Sequence, residues 1–381
     1  MRKTTRRIIC LLIFLIVTMN YSASEGENMK QNRPNKLKKL YFVPQHGLIA
    51  AACNSLPNGS IRLWSINDGK LGEIIDLKKR EWADSLAISN DGKLVAAALL
   101  GTKEIGCYSL KGKKWVWRRK SMEKGIAGDV MQFALDDRKL VVVGFRNIVI
   151  YDTGTGAVLQ KQEDSTGFSS GFPEYRTRIN GISPSARYAA FWQGILEHDE
   201  GRWSSKNIWV SIRDIETGKT IAKQGKIQDK YKNCSATFTP DEKNLLLGSM
   251  DGYVRVWSIA EQKVIKEWKA YWHDDRSSFE ENPAPNEIDS MTFSPDGRYL
   301  STMGHLKGGS AVRIWDYTAN KLTHEFNDVI SSSLPMCSGY PTAFSLDGKY
   351  FALEQQGKLC LYDTQTWKEK WCVPTSIEGK D

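Results

Sequence analysis

The chain has 381 residues and a net charge of +9, with 41% hydrophobic, 25% charged and 10% aromatic residues. That composition excludes a mainly disordered, collagen-like or multi-pass membrane protein, and the length suffices for a large core without disulfide staples. Thirteen Trp, fourteen Tyr and thirteen Phe imply a fold that uses aromatic side chains repeatedly.

Residues 1–24 read as a secretory signal peptide. Arg2, Lys3, Arg6 and Arg7 form a basic start, Ile8 to Val17 is an unbroken apolar run, and the small residues Ser22, Ala23 and Ser24 follow. An uncleaved anchor is the alternative, although the uncharged stretch is short for a bilayer span. Cleavage would remove four basic and no acidic residues, taking the net charge from +9 to +5. A surface of that charge does not call for nucleic acid. The expected location is therefore exported, periplasmic or extracellular, and membrane contact is expected only through an uncleaved signal. Residues 25–35 read as a polar linker, 36–375 as the folded domain, and 376–381 as a C-terminal tail.

The folded region is repetitive. A turn motif occurs at Phe42–Gly47, Ile88–Lys93, Phe133–Asp137, Ile182–Ser185, Phe238–Asp241, Phe293–Tyr299 and Phe344–Tyr350, seven copies 45 to 56 residues apart. The sixth copy, Phe293-Ser294-Pro295-Asp296-Gly297, shows its chemistry: Pro presets φ and Gly supplies positive φ. A strongly apolar run follows each turn, such as Leu94–Ala98. Next comes an alternating run ending in an aromatic, as in Ile61–Trp64, Ile105–Tyr108, Val149–Tyr151, Val254–Trp257, Val312–Trp315 and Leu359–Tyr362. The fourth copy, Val210–Arg213, has Arg213 in the aromatic slot, where it is expected to point to solvent. Another turn and a last short strand complete the unit. Four short strands per unit and seven units predict an all-β, seven-bladed β-propeller with four antiparallel strands per blade.

At this point the chain resembles the WD40-repeat family in a degenerate, bacterial-style form. The fifth copy, Gly248–Trp257, carries the resemblance best, and the sixth adds Phe293–Gly297 and Ile314-Trp315-Asp316. The family locks its blades with His, Ser or Thr, Asp and Trp. The resemblance implies Ser249, Asp251 and Trp257 for three of those places, with no Gly-His dipeptide positioned for the fourth. Tyr151–Gly156 also looks like the turns of quinoprotein-type propellers.

The resemblance implies that connections of strand one to two and three to four share one face, and all others the opposite face. Sorted that way, the first class is short. The second holds the insertions Cys53–Ser60, Gln193–Asn207, Gly304–Ala311, Glu163–Arg176, Ala270–Glu287 and Asp328–Gly339. Long loops on a rigid scaffold are where binding concentrates. These insertions carry Phe168, Phe172, Tyr175 and Arg176; His198, Arg202 and Trp203; and Tyr271, Trp272, His273, Asp274, Asp275 and Arg276. Exposed aromatic and Arg side chains anchor protein interfaces. His198, His273 and His305 near acidic residues offer a metal reading, but no HxH or HxxxH spacing supports it.

Six cysteines follow the signal segment, with no CxxC or CxxCH among them, so thioredoxin-like chemistry and covalent haem are not indicated. Cys360 and Cys372 fall on adjacent strands of one hairpin; a disulfide between them is one reading and reduced buried thiols the other. HExxH and P-loop motifs are also missing. The expectation is a non-enzymatic propeller that binds protein partners through its long-loop face, without a cofactor. The alternatives are a propeller oxidoreductase or electron carrier (quinoprotein- or haem-d1-like) and a glycan-binding propeller. Ring closure is expected to rest on packing of blade one against blade seven.

Overall fold

The computed structural model describes residues 36–54, 59–120, 130–144, 147–163, 175–199, 202–227, 233–249, 251–271, 288–306, 309–327, 329 and 342–376. Of the expected segments, 1–24 and 25–35 lie outside these residues.

Twenty-eight strands form seven four-stranded sheets, each built from consecutive strands. Blade one contains β1 (Lys36–Val43), β2 (Leu48–Asn54), β3 (Ser60–Ser65) and β4 (Leu71–Asp76). Blade two contains β5 (Trp82–Ile88), β6 (Leu94–Leu100), β7 (Glu104–Ser109) and β8 (Lys114–Lys120). Blade three contains β9 (Val130–Phe133), β10 (Lys139–Val143), β11 (Asn147–Asp152) and β12 (Val158–Glu163). Blade four contains β13 (Tyr175–Ile182), β14 (Tyr188–Asp199), β15 (Arg202–Asp214) and β16 (Thr220–Ile227). Blade five contains β17 (Asn233–Phe238), β18 (Asn244–Ser249), β19 (Tyr253–Ser258) and β20 (Lys263–Lys269). Blade six contains β21 (Ile288–Phe293), β22 (Tyr299–Leu306), β23 (Gly309–Asp316) and β24 (Lys321–Asn327). Blade seven contains β25 (Thr342–Phe344), β26 (Tyr350–Gln355), β27 (Lys358–Asp363) and β28 (Glu369–Pro374). The first strands β1, β5, β9, β13, β17, β21 and β25 each touch the next, and β25 touches β1, so the ring is closed.

Packing follows from the period-2 alternation of each strand. Seven apolar clusters occupy the seven junctions between blades. In β6, Val95, Ala97 and Leu99 face blade one, while Ala96 and Ala98 face blade three. The second strand of a blade is thus buried on both faces, which is why it reads as an almost continuous apolar run.

The turns repeat their chemistry. Ser89 Oγ donates to Asp91 Oδ1 at 2.8 Å and accepts from Leu94 N at 2.9 Å; Ser294 and Ser345 do the same with Asp296 and Asp347. Burial pushes the Asp91 carboxyl up, but hydrogen bonds from Lys93 and Ser89 outweigh it and bring it to about 2. The three-to-four turns use Asp and Thr: Asp152 Oδ1 accepts from Thr155 N at 2.8 Å and from Thr155 Oγ1 at 2.6 Å, as does Asp214 from Thr217. Gly156 then takes φ of 69°, with Trp117 packed where a Cβ would stand.

Closure uses packing and the same junction device found elsewhere. Trp117 Nε1 on β8 donates to Thr153 O of the next blade at 2.7 Å, and Gln162 Nε2 on β12 donates to Ile215 O at 2.6 Å. Trp371 Nε1 on β28 donates to Ile66 O of blade one at 2.8 Å, an equivalent acceptor one residue past strand three. Trp371 and Val373 pack on the cluster containing Leu40, Phe42, Ile49 and Trp64. Arg62 donates to Thr375 O, and Leu37 N donates to Glu354 Oε2 at 3.1 Å. Cys360 and Cys372 face each other across β27 and β28, with Cα atoms 4.1 Å apart, and are joined in a disulfide.

In every blade the register between strands three and four slips by one residue, leaving Gly72, Val116, Leu159, Ile221, Ile265, Thr323 and Lys370 unpaired. These are bulges on the outermost strands.

One junction titrates. His324 on β24 stacks on Trp367 with ring centroids 4.9 Å apart, and its Nδ1 is buried without a hydrogen-bond partner in the described residues. Burial lowers its pKa, so the unfolded chain takes up the proton before the folded one does. Stability from the neutral ring is therefore present above the ordinary histidine value, about 6.5, and is lost as pH falls through and below it. Between pH 7.5 and 5, the wild-type melting temperature should fall more than that of His324→Phe. Parallel curves would refute this.

Candidate interaction face

Connections between strands one and two and between strands three and four are four or five residues long in every blade. The opposite face carries the longer connections, but their distribution differs from expectation. Between strands two and three, the connections span only two to five residues. The length expected in loops there has gone into strand.

Blade four shows this most fully. The segment 193–207, expected as a loop, is a hairpin: β14 and β15 run 12 and 13 residues and stay paired to Asp199↔Arg202. Five pairs lie beyond Gln193↔Trp209, an extension of roughly 17 Å at about 3.4 Å per residue. Its strands run past those of the other blades, and backbone pairing there needs no regular apolar alternation. Its polar residues therefore imitate a loop. A register shift between Gln193 and Ile195 marks where it departs. Blade six repeats this on a smaller scale, with His305↔Ser310 and Leu306↔Gly309 paired where a loop was expected.

This hairpin gathers several predicted site residues. His198 pairs with Trp203 and Asp199 with Arg202 at the tip, while Tyr175 and Arg176 on β13 pair with Ile195 and Gly194 at the base. Phe168, Phe172, Trp272, His273, Asp274, Asp275 and Arg276 lie outside the described residues.

Tyr271 requires correction. It is fully buried, not an exposed anchor. Its hydroxyl donates to Thr302 O at 2.9 Å, sits 3.2 Å from Thr302 Oγ1 and 3.1 Å from Ala311 O, and lies in a core between blades five and six. Trp315 Nε1 donates to Thr302 Oγ1 at 3.0 Å. Tyr271 thus completes a Tyr–Thr–Trp lock in blade six, filling from the interblade segment the place that the resemblance gave to histidine. Burial pushes its pKa above the ordinary tyrosine value. Arg313 stacks 4.7 Å from its ring and donates to Ala270 O, as Arg62 does to Thr375 O at the closing junction.

The lock implied for blade five does not form. Trp257 Nε1 is buried without a partner among the described residues, while Ser249 Oγ accepts from Arg255 Nη1 at 2.6 Å and Asp251 Oδ2 accepts from Arg255 Nη2 at 2.6 Å. Ser249 ends its strand, too far along the blade to meet Trp257, which pairs with Leu245. Arg213 is also corrected: it is half-buried, its guanidinium 4.8 Å from the Phe191 ring centroid rather than turned to solvent. It takes the aromatic slot by stacking, which a planar guanidinium can do.

A cavity of about 390 Å³ lies among the first strands of blades six, seven and one, lined by Leu40, Phe42, Phe293, Pro295, Phe344 and Leu346 among others. Among the described residues no group of three or more His, Cys, Asp and Glu could hold a metal. Cys53 and Cys107 are buried reduced thiols whose pKa burial raises to about 12, which makes them poor nucleophiles.

Two comparisons bear on these features. Residues 228–258, essentially blade five up to the end of its third strand, match the family described as WD domain, G-beta repeat. The chain is also similar to Protein HIR1 of Yarrowia lipolytica (strain CLIB 122 / E 150), 30% identical over 107 residues. That stretch is 25% of this chain and 10% of the length of the yeast protein.

Proposed function

We propose that this chain, a seven-bladed β-propeller carrying a WD40 repeat over residues 228–258, is a protein-interaction scaffold that receives its partner on the long-connection face. The observation that carries the reading is the blade-four hairpin, a two-stranded extension on that face with His198, Arg202 and Trp203 at its tip. Paired strands hold such side chains at less conformational cost than a loop does, so more of their contact energy reaches the partner. In the same reading the protein is exported, on the strength of its signal-like first 24 residues, and non-enzymatic. Gly167–Gly171 spells G-x-S-x-G, a motif that works as a strand-to-helix elbow, and it lies outside the described residues.

The test is a crosslinking capture from cell envelopes using the full chain and a variant with residues 196–205 replaced by a two-residue Asn-Gly turn. Blade four should keep its register and its melting temperature. Proteins captured by the wild type should drop at least tenfold in the variant. Identical captures from both would refute the reading.

A further inference from the structure

Five exposed cations crowd one corner of the long-connection face, where blade one passes to blade two. Lys78, Lys79 and Arg80 lie in the interblade turn, Lys103 in the β6–β7 turn, and Lys120 at the end of β8. In sequence, a Lys-Lys-Arg run in a short turn is indistinguishable from an ordinary solvated surface.

The corner is built rigidly. Glu81 N donates to Lys78 O at 2.9 Å and Lys78 N donates to Glu81 Oε2 at 3.1 Å, closing the turn from both ends. The Glu81 side chain is fully buried and accepts from Arg118 Nη2 at 2.6 Å. Arg118 Nε reaches on to Glu104 Oε2 at 2.9 Å, and its guanidinium packs 5.4 Å from the Trp115 ring. A Cβ at Gly101 would stand 2.0 Å from Arg80 O, so the two turns are in backbone contact. One ionic knot therefore pins three pieces of chain, and each presents a cation outward. Arg80 and Lys103 do so from left-handed backbone, at φ of 63° and 56°.

Charge accounting gives the corner its meaning. Both central carboxylates are consumed by Arg118; although burial pushes Glu81 up, the guanidinium outweighs it and holds it below the ordinary value. The remaining acids of these elements are Glu73, which accepts from the Tyr108 hydroxyl at 3.2 Å, and Asp76, both on β4, and Asp84 in β5. Among the described residues none of the five outer cations forms an ion pair. Holding like charges together costs the folded state, yet here they are braced rather than left free to separate.

We propose that this corner docks a carboxylate-rich surface of a protein partner. The proposal rests on the reading of this face as the interaction face, and it specifies the partner's chemistry. The basic spot is one blade junction wide, which suits a few ion pairs at the rim of a protein interface rather than a track along nucleic acid or a membrane plane. Complementary charge there would mainly raise the association rate and make it salt-dependent.

The test uses the full chain and, as probe, a fluorescent 15-residue peptide rich in Glu and Asp, beside single-stranded DNA and phosphatidylglycerol vesicles. The wild type should bind the peptide with affinity that falls steeply with salt. Lys78→Glu/Lys79→Glu/Arg80→Glu should weaken it at least tenfold, and so should Lys103→Glu/Lys120→Glu, which leaves the interblade turn intact should the triple variant fail to fold. Lys111→Glu/Lys113→Glu/Lys114→Glu, on the opposite face, should bind as wild type does. Equal binding by all variants, no peptide binding, or binding of DNA or vesicles in place of the peptide would each overturn the proposal. In the envelope capture, proteins that need the hairpin but ignore these charge reversals would overturn it while leaving the scaffold reading standing. The expected result there is that the captured proteins need both the hairpin and these cations.

Discussion

A chain ending at Asp363 should fail to fold. The cut removes β28 and with it one half of the Cys360–Cys372 disulfide. It also removes Trp371 and Val373 from the cluster that joins blades seven and one, and the carbonyl of Thr375 that Arg62 uses. A disulfide contributes about 2–4 kcal/mol and a large buried aromatic about 3–5 kcal/mol. Together these are comparable to the whole stability of a typical domain, about 5–15 kcal/mol. Loss of closure adds to them, since the exposed flank of blade one then meets water. The expected outcome is insoluble protein, or soluble protein without a cooperative thermal transition. A soluble truncation melting at the wild-type temperature would show that six blades and a partial seventh suffice.

Replacing Tyr271 should be the most damaging single change among the residues first expected at an interface. Tyr271→Ala empties a core position and strands the Thr302 and Ala311 oxygens, at a cost of about 3–5 kcal/mol by chemical denaturation. Tyr271→Phe keeps the packing and loses only the hydroxyl, costing about 1–3 kcal/mol. A variant with wild-type stability that has lost its partners would reverse the assignment and return Tyr271 to a binding role.

The seven blades were legible because each repeats two signals of different physical origin. Turns such as Ser294–Gly297 need a hydroxyl, a carboxylate and a positive φ. Strands such as Leu94–Leu100 must be apolar on both faces. Burial at the ends of strands was much less legible. Tyr271 sits two residues beyond β20, where sequence offers no sign that the chain still lies against blade six. The blade-four arm was hidden for the opposite reason: strands that leave the core lose the alternation that identifies strands. Arg213 in an aromatic slot signalled something unusual, but stacking on Phe191 depends on a neighbour 22 residues away that only the fold brings close.

The unpaired residue on each outermost strand bears on strand exchange between copies of the wheel. Among the described residues the fourth strand of every blade has no further strand beside it, so its outer N–H and C=O groups invite a strand from another copy. In blades two to five the unpaired residue is a large apolar one, 41–54% exposed, which would ordinarily favour fibre-like stacking. The one-residue slip twists each edge so that a straight incoming strand finds only a few residues in phase. The slip thereby makes the rim a poor template for strand exchange, unlike the two flat ends of the wheel, one tiled with tight turns and the other bearing the blade-four arm and the cationic corner.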